Sequence, residues 1–158
     1  MASTSPGGAV DIASLFSDLV RCETRLYNAL NERLSEQHGL SMAHFEFLRR
    51  LRERPGSRVA DLAAEFAIGI GAASKGVDRL EKQGWVVRQP NPSDRRSSLL
   101  TLTDEAAALV DTADHTFTER LTELIEDTLD GPTMSTLAQT FSALRAALER
   151  DRIGIPTG

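Results

Sequence analysis

What this chain has little of narrows the reading first. Cys22 is its only cysteine, which excludes an intrachain disulfide framework and any cysteine-based metal cluster. Three histidines, His38, His44 and His115, share no spacing of the H-x-x-x-H kind that sets two imidazoles on one helix face, so no bound metal is expected. No apolar run approaches the roughly 20 residues that span a bilayer. The opening MASTSPGGAV also lacks the basic and apolar blocks of a signal peptide. The expectation is a soluble, cytoplasmic chain with no membrane partner. P-loop, dinucleotide and nucleophile-elbow motifs are missing as well. Carboxylates are plentiful, as in Glu119, Glu123, Glu126 and Asp127, but their helical spacing reads as a solvated face rather than a general acid and base. Neither an enzyme nor a cofactor is expected.

What is present is an uneven distribution of charge. The net charge is −5 over 158 residues, of which 41% are hydrophobic, enough for one compact core. Residues 41 to 100 carry a net +4 and the remainder −9. A locally basic centre between acidic flanks concentrates positive field on one surface, which suits a phosphate-bearing partner.

Hydrophobic periodicity predicts a mainly α chain. Residues 1 to 9 are small and polar with nothing to bury, and read as a disordered arm. Leu15, Phe16, Leu19, Leu26, Tyr27, Leu30 and Leu34 keep helical spacing from Ile12 onward, up to a stop at His38-Gly39. Ser41 is placed to cap a second helix through Met42, Phe45, Leu48 and Leu51, closed by Arg54-Pro55-Gly56. Ser57 is read as the cap of a short third helix, Val59 to Phe66, and the break at Ala67 to Gly69 turns into a fourth. After the central segment, Thr103 caps a helix predicted to reach Leu129, Gly131-Pro132 breaks it, and a last helix runs from Thr133 to about Arg150.

The stretch from Ile68 to Thr103 carries the chemistry. From Ile70, the apolar positions Ala73, Val77 and Leu80 recur at helical spacing, and the opposite face presents Lys75, Arg79 and Lys82. Gly84 stops this helix. Trp85 to Gln89 and Ser98 to Thr103 then alternate as two strands around Pro90-Asn91-Pro92-Ser93-Asp94, with Arg95 and Arg96 at the tip. A helix sized for a major groove, followed by an arginine-tipped hairpin, is the layout of a winged helix-turn-helix. Double-stranded DNA is therefore the expected partner.

The segment VADLAAEFAIGIGAASKGVDRLEKQGWVVRQPNPSDRRSSLLTLT resembles the winged-helix region of the MarR (multiple-antibiotic-resistance regulator) family of bacterial transcription factors. VDRLEKQGWVVR is its most specific part, together with DRRSSLLTLT, where Asp94 and Arg96 match the family's D-x-R wing motif. The resemblance implies a homodimeric repressor or activator, dimerised through its terminal helices, often released from DNA by a small ligand or an oxidant. It also sets Ser74 and Lys75 near DNA, with Arg95 and Arg96 in a wing entering the minor groove. The helix start departs from the family, which has hydroxyls and arginine where this chain has Gly69, Ile70, Gly71, Ala72 and Ala73. Gly71 and Gly76 each cost up to about 1 kcal/mol against alanine in a helix interior. Either the backbone approaches DNA closely there, with Ala72 or Ala73 against a thymine methyl, or the helix start is simply loose.

The organisation expected is a helical dimerisation region at 10–40 and 104–150, a DNA-binding lobe at 41–103 and a frayed tail at 151–158. The terminal helices carry apolar stripes that a small winged lobe cannot cover alone, which favours a homodimer on a pseudo-palindromic operator over a monomeric bundle. The expected DNA-contacting set is Gly71, Ala72, Ser74, Lys75, Arg79, Lys82, Asp94, Arg95 and Arg96. For a small-molecule effector, Tyr27, His38, His44 and Trp85 pair apolar bodies with polar tips, and each reads equally as packing. Cys22, near Arg21 and Arg25 but also Glu23, is either a redox-sensing thiol or a buried packing residue, the second being favoured. The competing class is a helical protein-interaction module, whose wing would more often show exposed aromatics; this tip has none.

Overall fold

Side-chain caps start most of the helices. Asp11, Ser41, Thr103 and Asp130 each accept a backbone N–H of the first turn, from Ala13, His44, Ala106 and Thr133 respectively. The computed structural model describes residues 8–157 and orders them as α1 (Ile12–His38), α2 (Met42–Glu53), α3 (Val59–Glu65), α4 (Ile70–Lys82), β1 (Val86–Pro90), β2 (Ser98–Leu102), α5 (Asp104–Ile125) and α6 (Gly131–Arg150). Most of the 1–9 arm lies outside the described residues, as does the last residue of the tail. No helix among the described residues is long and apolar enough to cross a membrane.

Three helix ends differ from the sequence reading, each for a local reason. Ser57 does not cap α3: its hydroxyl donates to the Arg54 carbonyl at 2.7 Å, and Arg58 takes the cap position, its N–H held by the Asp61 carboxylate at 2.8 Å. α5 stops at Ile125, four residues short of Leu129, because a turn intervenes before Asp130. Gly131-Pro132 is the first turn of α6 rather than a break, since Pro lacks only an N–H that has no partner at a helix start. The turn between α3 and α4 is made by Ala67 at φ +50°, a left-handed conformation that costs a non-glycine residue about 1–2 kcal/mol.

One core joins everything except α6. Phe45, Leu48 and Leu51 of α2, Leu34 of α1, Leu62 of α3, Val77 and Leu80 of α4, Leu100 of β2 and Val110 of α5 are all fully buried in it. Side chains of this kind contribute roughly 1.5–3 kcal/mol each. Along the α2–α5 seam the Phe45 and Phe117 ring centroids lie 5.1 Å apart and the Arg49 guanidinium sits 5.5 Å over Phe117. Arg52 reaches Asp111 at 2.5 Å, and Arg49 faces Asp114 at 3.2 Å. Such half-exposed pairs contribute about 1 kcal/mol or less, so they orient the seam while the rings hold it.

The hairpin pairs Val86 with Leu102, Arg88 with Leu100 and Pro90 with Ser98. Its first strand begins one residue later than the sequence suggests, because the Trp85 N–H is engaged by the Leu80 carbonyl at 3.0 Å. It also includes Pro90, which a strand end tolerates. On the far side, Gly56 and Ser57 extend the sheet by bonding to Leu100 at 2.9 and 2.8 Å.

α6 buries none of its residues. Its Phe141, Leu144 and Leu148 are exposed, as are Leu15, Phe16 and Leu19 in the first half of α1, with Phe16 at 65%.

Candidate nucleic-acid interface

α4 presents the helical half of the site. Ala73, Val77 and Leu80 point into the core while Lys75, Arg79 and Lys82 stand exposed on the other side, as periodicity predicts. Gly71 and Ala72 are exposed at the helix start and Ser74 is half-buried. Sequence expectations change at three positions. Ala73 is fully buried, so it has no access to a thymine methyl. Gly76 faces inward: a Cβ there would stand 2.8 Å from Phe47, so its glycine serves packing of α4 on α2 and not approach to a ligand outside. At Gly71, by contrast, nothing lies within 4 Å of where a Cβ would project. Ile70, placed by periodicity at the head of the apolar face, is 63% exposed.

The hairpin tip is ordered by its own side chains. Asn91 accepts the Ser93 N–H at 3.0 Å and donates to the Ser97 hydroxyl at 3.0 Å, while Asp94 accepts the Arg96 N–H at 2.9 Å. Asp94 is therefore the internal acceptor of the bend, and it fixes the backbone that carries Arg95 and Arg96, both exposed.

The ion pairs separate free cations from those already engaged. Arg49, Arg50, Arg52, Arg58 and Arg88 of this lobe are each bonded to carboxylates. Lys75, Arg79, Lys82, Arg95 and Arg96 have no ion pair among the described residues. The unpaired cations of α4 and the hairpin are thus the five that sequence reasoning put at the interface. Sequence reasoning missed the tie from Arg88 to Asp78 and, at 3.4 Å, to Glu81. Its only trace is two acids three residues apart on α4, followed by an arginine in the next strand.

Of the four candidate effector residues, the structure brings two together. Tyr27 and His44 line a cavity of about 300 Å³ beneath α4, with Glu46, Phe47, Ala72 and Arg79. Burial, aided by Arg79, holds the His44 imidazole below the usual histidine range, and burial with Glu23 raises the Glu46 carboxyl. His38 lies elsewhere, bonded to the Thr116 hydroxyl at 2.7 Å, and Trp85 packs at the base of the hairpin. A larger open cleft of about 850 Å³, between the end of α6 and the α2–α3 turn, contains none of the candidates. Cys22 is exposed rather than buried, against the favoured expectation. No group of three His, Cys, Asp or Glu side chains among the described residues is arranged to hold a metal.

A family model described as MarR family matches residues 40–98, which span α2, α3, α4, β1 and the hairpin tip. Over that segment the chain is similar to the MarR family. It is similar to the multiple antibiotic resistance protein MarR of Escherichia coli (strain K12), at 36% identity over 80 residues, covering 51% of this chain and 55% of that protein. The chain thus matches about half the length of this curated relative. A solved structure of an E. coli MarR cysteine-to-serine variant complexed with operator DNA superposes with a TM-score of 0.76 at 26% identity, covering 85% of this chain and 95% of that one. Sco3205 of Streptomyces coelicolor, a MarR-family regulator solved in complex with DNA, superposes at TM-score 0.81 and 24% identity over 97% and 98% of the two chains. These likenesses establish the fold as the winged helix-turn-helix of the MarR family with additional helices.

Proposed function

We propose that this chain is a MarR-family regulator: a cytoplasmic, homodimeric, sequence-specific DNA-binding transcriptional repressor and not an enzyme. α4 enters the major groove and the hairpin the adjacent minor groove, with Lys75, Arg79, Lys82, Arg95 and Arg96 on phosphates and groove floors. The observation that carries the reading is electrostatic: these five cations of α4 and the hairpin stand exposed and unpaired, while five of the lobe's six other arginines, all but Arg54, are neutralised by carboxylates. The similar E. coli MarR variant solved in complex with operator DNA supports it. Gly71, Ala72 and Ser74 complete the helix side, and Asp94 acts by shaping the wing.

The dimer forms through the exposed apolar residues of α1 and α6, which places two copies of α4 on one face of the duplex, about 34 Å apart along a pseudo-palindromic operator. The cavity beneath α4 takes a small-molecule effector, and because Arg79 lines it, an occupant there alters the helix that grips DNA.

Selection of bound fragments from a random duplex library, followed by titration in increasing salt, tests the reading. A specific, pseudo-palindromic site whose log affinity falls with log salt is expected. Failure to enrich any duplex, or affinity that ignores salt, would favour the protein-interaction module instead.

A further inference from the structure

The arginines at the wing tip can find a groove only if the hairpin is held at a fixed angle to α4, and beyond its base, where Val86 and Leu100 are buried in the core, few polar links hold it. From Gln89 to Ser98, every hydrogen bond and ion pair among the described residues stays within the hairpin. The second strand is anchored by Gly56 and Ser57, and the base by Thr103, whose hydroxyl donates to the Gly84 carbonyl at 2.8 Å. Strand β1 is the free edge of the sheet. Its one polar link to the helix is Arg88, half-buried, which bonds to Asp78 and lies 3.4 Å from Glu81, one turn further along α4. Arg88 is also the last residue of β1, counting toward the tip, that touches an element outside the hairpin through a polar group.

Resting on the DNA-binding reading above, we propose that Arg88 is a positioning residue that sets the angle between wing and recognition helix and so aims Arg95 and Arg96 at the neighbouring groove. A guanidinium suits the task, because its planar fork engages two carboxylates at once and resists rotation, which an ammonium does not. The two strand residues beyond Arg88 and the first residue of the turn make a lever of about 10 Å, so a swing of roughly 15° moves the tip by about 2.5 Å, the reach of a hydrogen bond. Arg88 does a second thing: it neutralises Asp78 and Glu81, which share α4 with Lys75, Arg79 and Lys82 and would otherwise repel phosphate. The two roles separate in experiment.

Spin labels at Gln83→Cys and Ser93→Cys in a Cys22→Ser background, with labelled subunits diluted into excess unlabelled protein, report the helix-to-tip distance without any DNA. A narrow distribution is expected, broadened by about 2.5 Å or more in Arg88→Met and partly restored in Arg88→Lys. Asp78→Asn with Glu81→Gln breaks the same tie from the other side, so the measurement stands even if Arg88→Met folds poorly. On duplexes selected by the wild-type protein, Arg88→Met should lose about tenfold in affinity and most of its preference for A·T-rich flanks. The triple variant Asp78→Asn, Glu81→Gln, Arg88→Met should regain affinity but not flank preference. Unchanged label distances, or a triple variant that regains both, would overturn the proposal. If the wild-type protein selects no duplex, it is the DNA-binding reading that fails, while the distances still decide whether Arg88 positions the wing.

Discussion

Replacing Gly76 with alanine sets two effects of opposite sign against each other, and the geometry decides between them. In a helix interior the change gains up to about 1 kcal/mol of backbone propensity. Here the new methyl would stand 2.8 Å from Cε2 of Phe47, with two further ring atoms at 3.5 and 3.7 Å. The ring is backed by Phe66, its centroid 5.2 Å away, so it cannot retreat in that direction. Overpacking of this kind costs about 1–3 kcal/mol, and the cavity beside Phe47 keeps the loss near the middle of that range, about 2 kcal/mol. The expected net effect is a destabilisation of about 1 kcal/mol, or some 2–4 °C in melting temperature for a chain of this size. Gly71 on the same helix is the control, since nothing lies within 4 Å of its Cβ direction; Gly71→Ala should gain up to about 1 kcal/mol. Urea unfolding at fixed subunit concentration measures both. Phe47→Leu removes the ring edge that clashes, so Gly76→Ala combined with Phe47→Leu should be better than additive by about 1 kcal/mol. If Gly76→Ala stabilises as much as Gly71→Ala and the cycle shows no coupling, α4 is not held against Phe47 and the reasoning is refuted.

Lys75→Ala, Lys82→Ala, Arg95→Ala and Arg96→Ala should each reduce the slope of log affinity against log salt by about 0.9 for every phosphate left without its cation, and the two wing variants should weaken more on operators with A·T-rich flanks than on G·C-substituted ones. Equal weakening on every flank would make the wing a phosphate clamp without a role in specificity. Burial and Glu23 raise the Glu46 carboxyl above its ordinary 4.5, against a smaller pull from Arg49. The native state therefore holds that proton more tightly than the unfolded chain, and stability falls as pH rises from 4.5 through the raised value. Glu46→Gln should match the wild type in acid and exceed it at neutral pH, and a difference independent of pH in chemical unfolding would contradict this. Phe141→Gln with Leu144→Gln should yield monomers by sedimentation while leaving helical content intact, because neither side chain is buried in the protomer; an unchanged dimer would place the interface elsewhere.

Helix identities and the inward face of α4 were legible because burial imposes a period, and Val77 and Leu80 obey it. Three helix boundaries were legible because Ser41, Thr103 and the left-handed Gly39 are chemical punctuation that acts locally. Ser57 misled for a physical reason: a serine at a helix start also serves as a turn donor, and Arg58 with Asp61 satisfies the N-terminal N–H instead. Gly76 could not be read, since its reason for being small is Phe47, 29 positions earlier in the chain. The same holds for electrostatics. Sequence shows which residues are cationic, but only tertiary pairing shows that Arg49, Arg52 and Arg88 are engaged while Lys75 and Arg95 are not. At the cavity, Tyr27 and His44 converge through the packing of α1 on α2, whereas His38 is diverted to Thr116.

The sixth helix, twenty residues long with none buried by its own chain, has a consequence for how the protein would behave in a cell. In the proposed dimer its stability comes from a second copy, so folding of that helix and assembly form a single equilibrium governed by mass action. Below the dissociation constant the amount of DNA-competent species follows the square of the chain concentration, so halving the supply of protein removes about three-quarters of it. A regulator assembled this way would respond sharply to its own rate of synthesis, and modest changes in expression would reach the promoter amplified, with no effector involved.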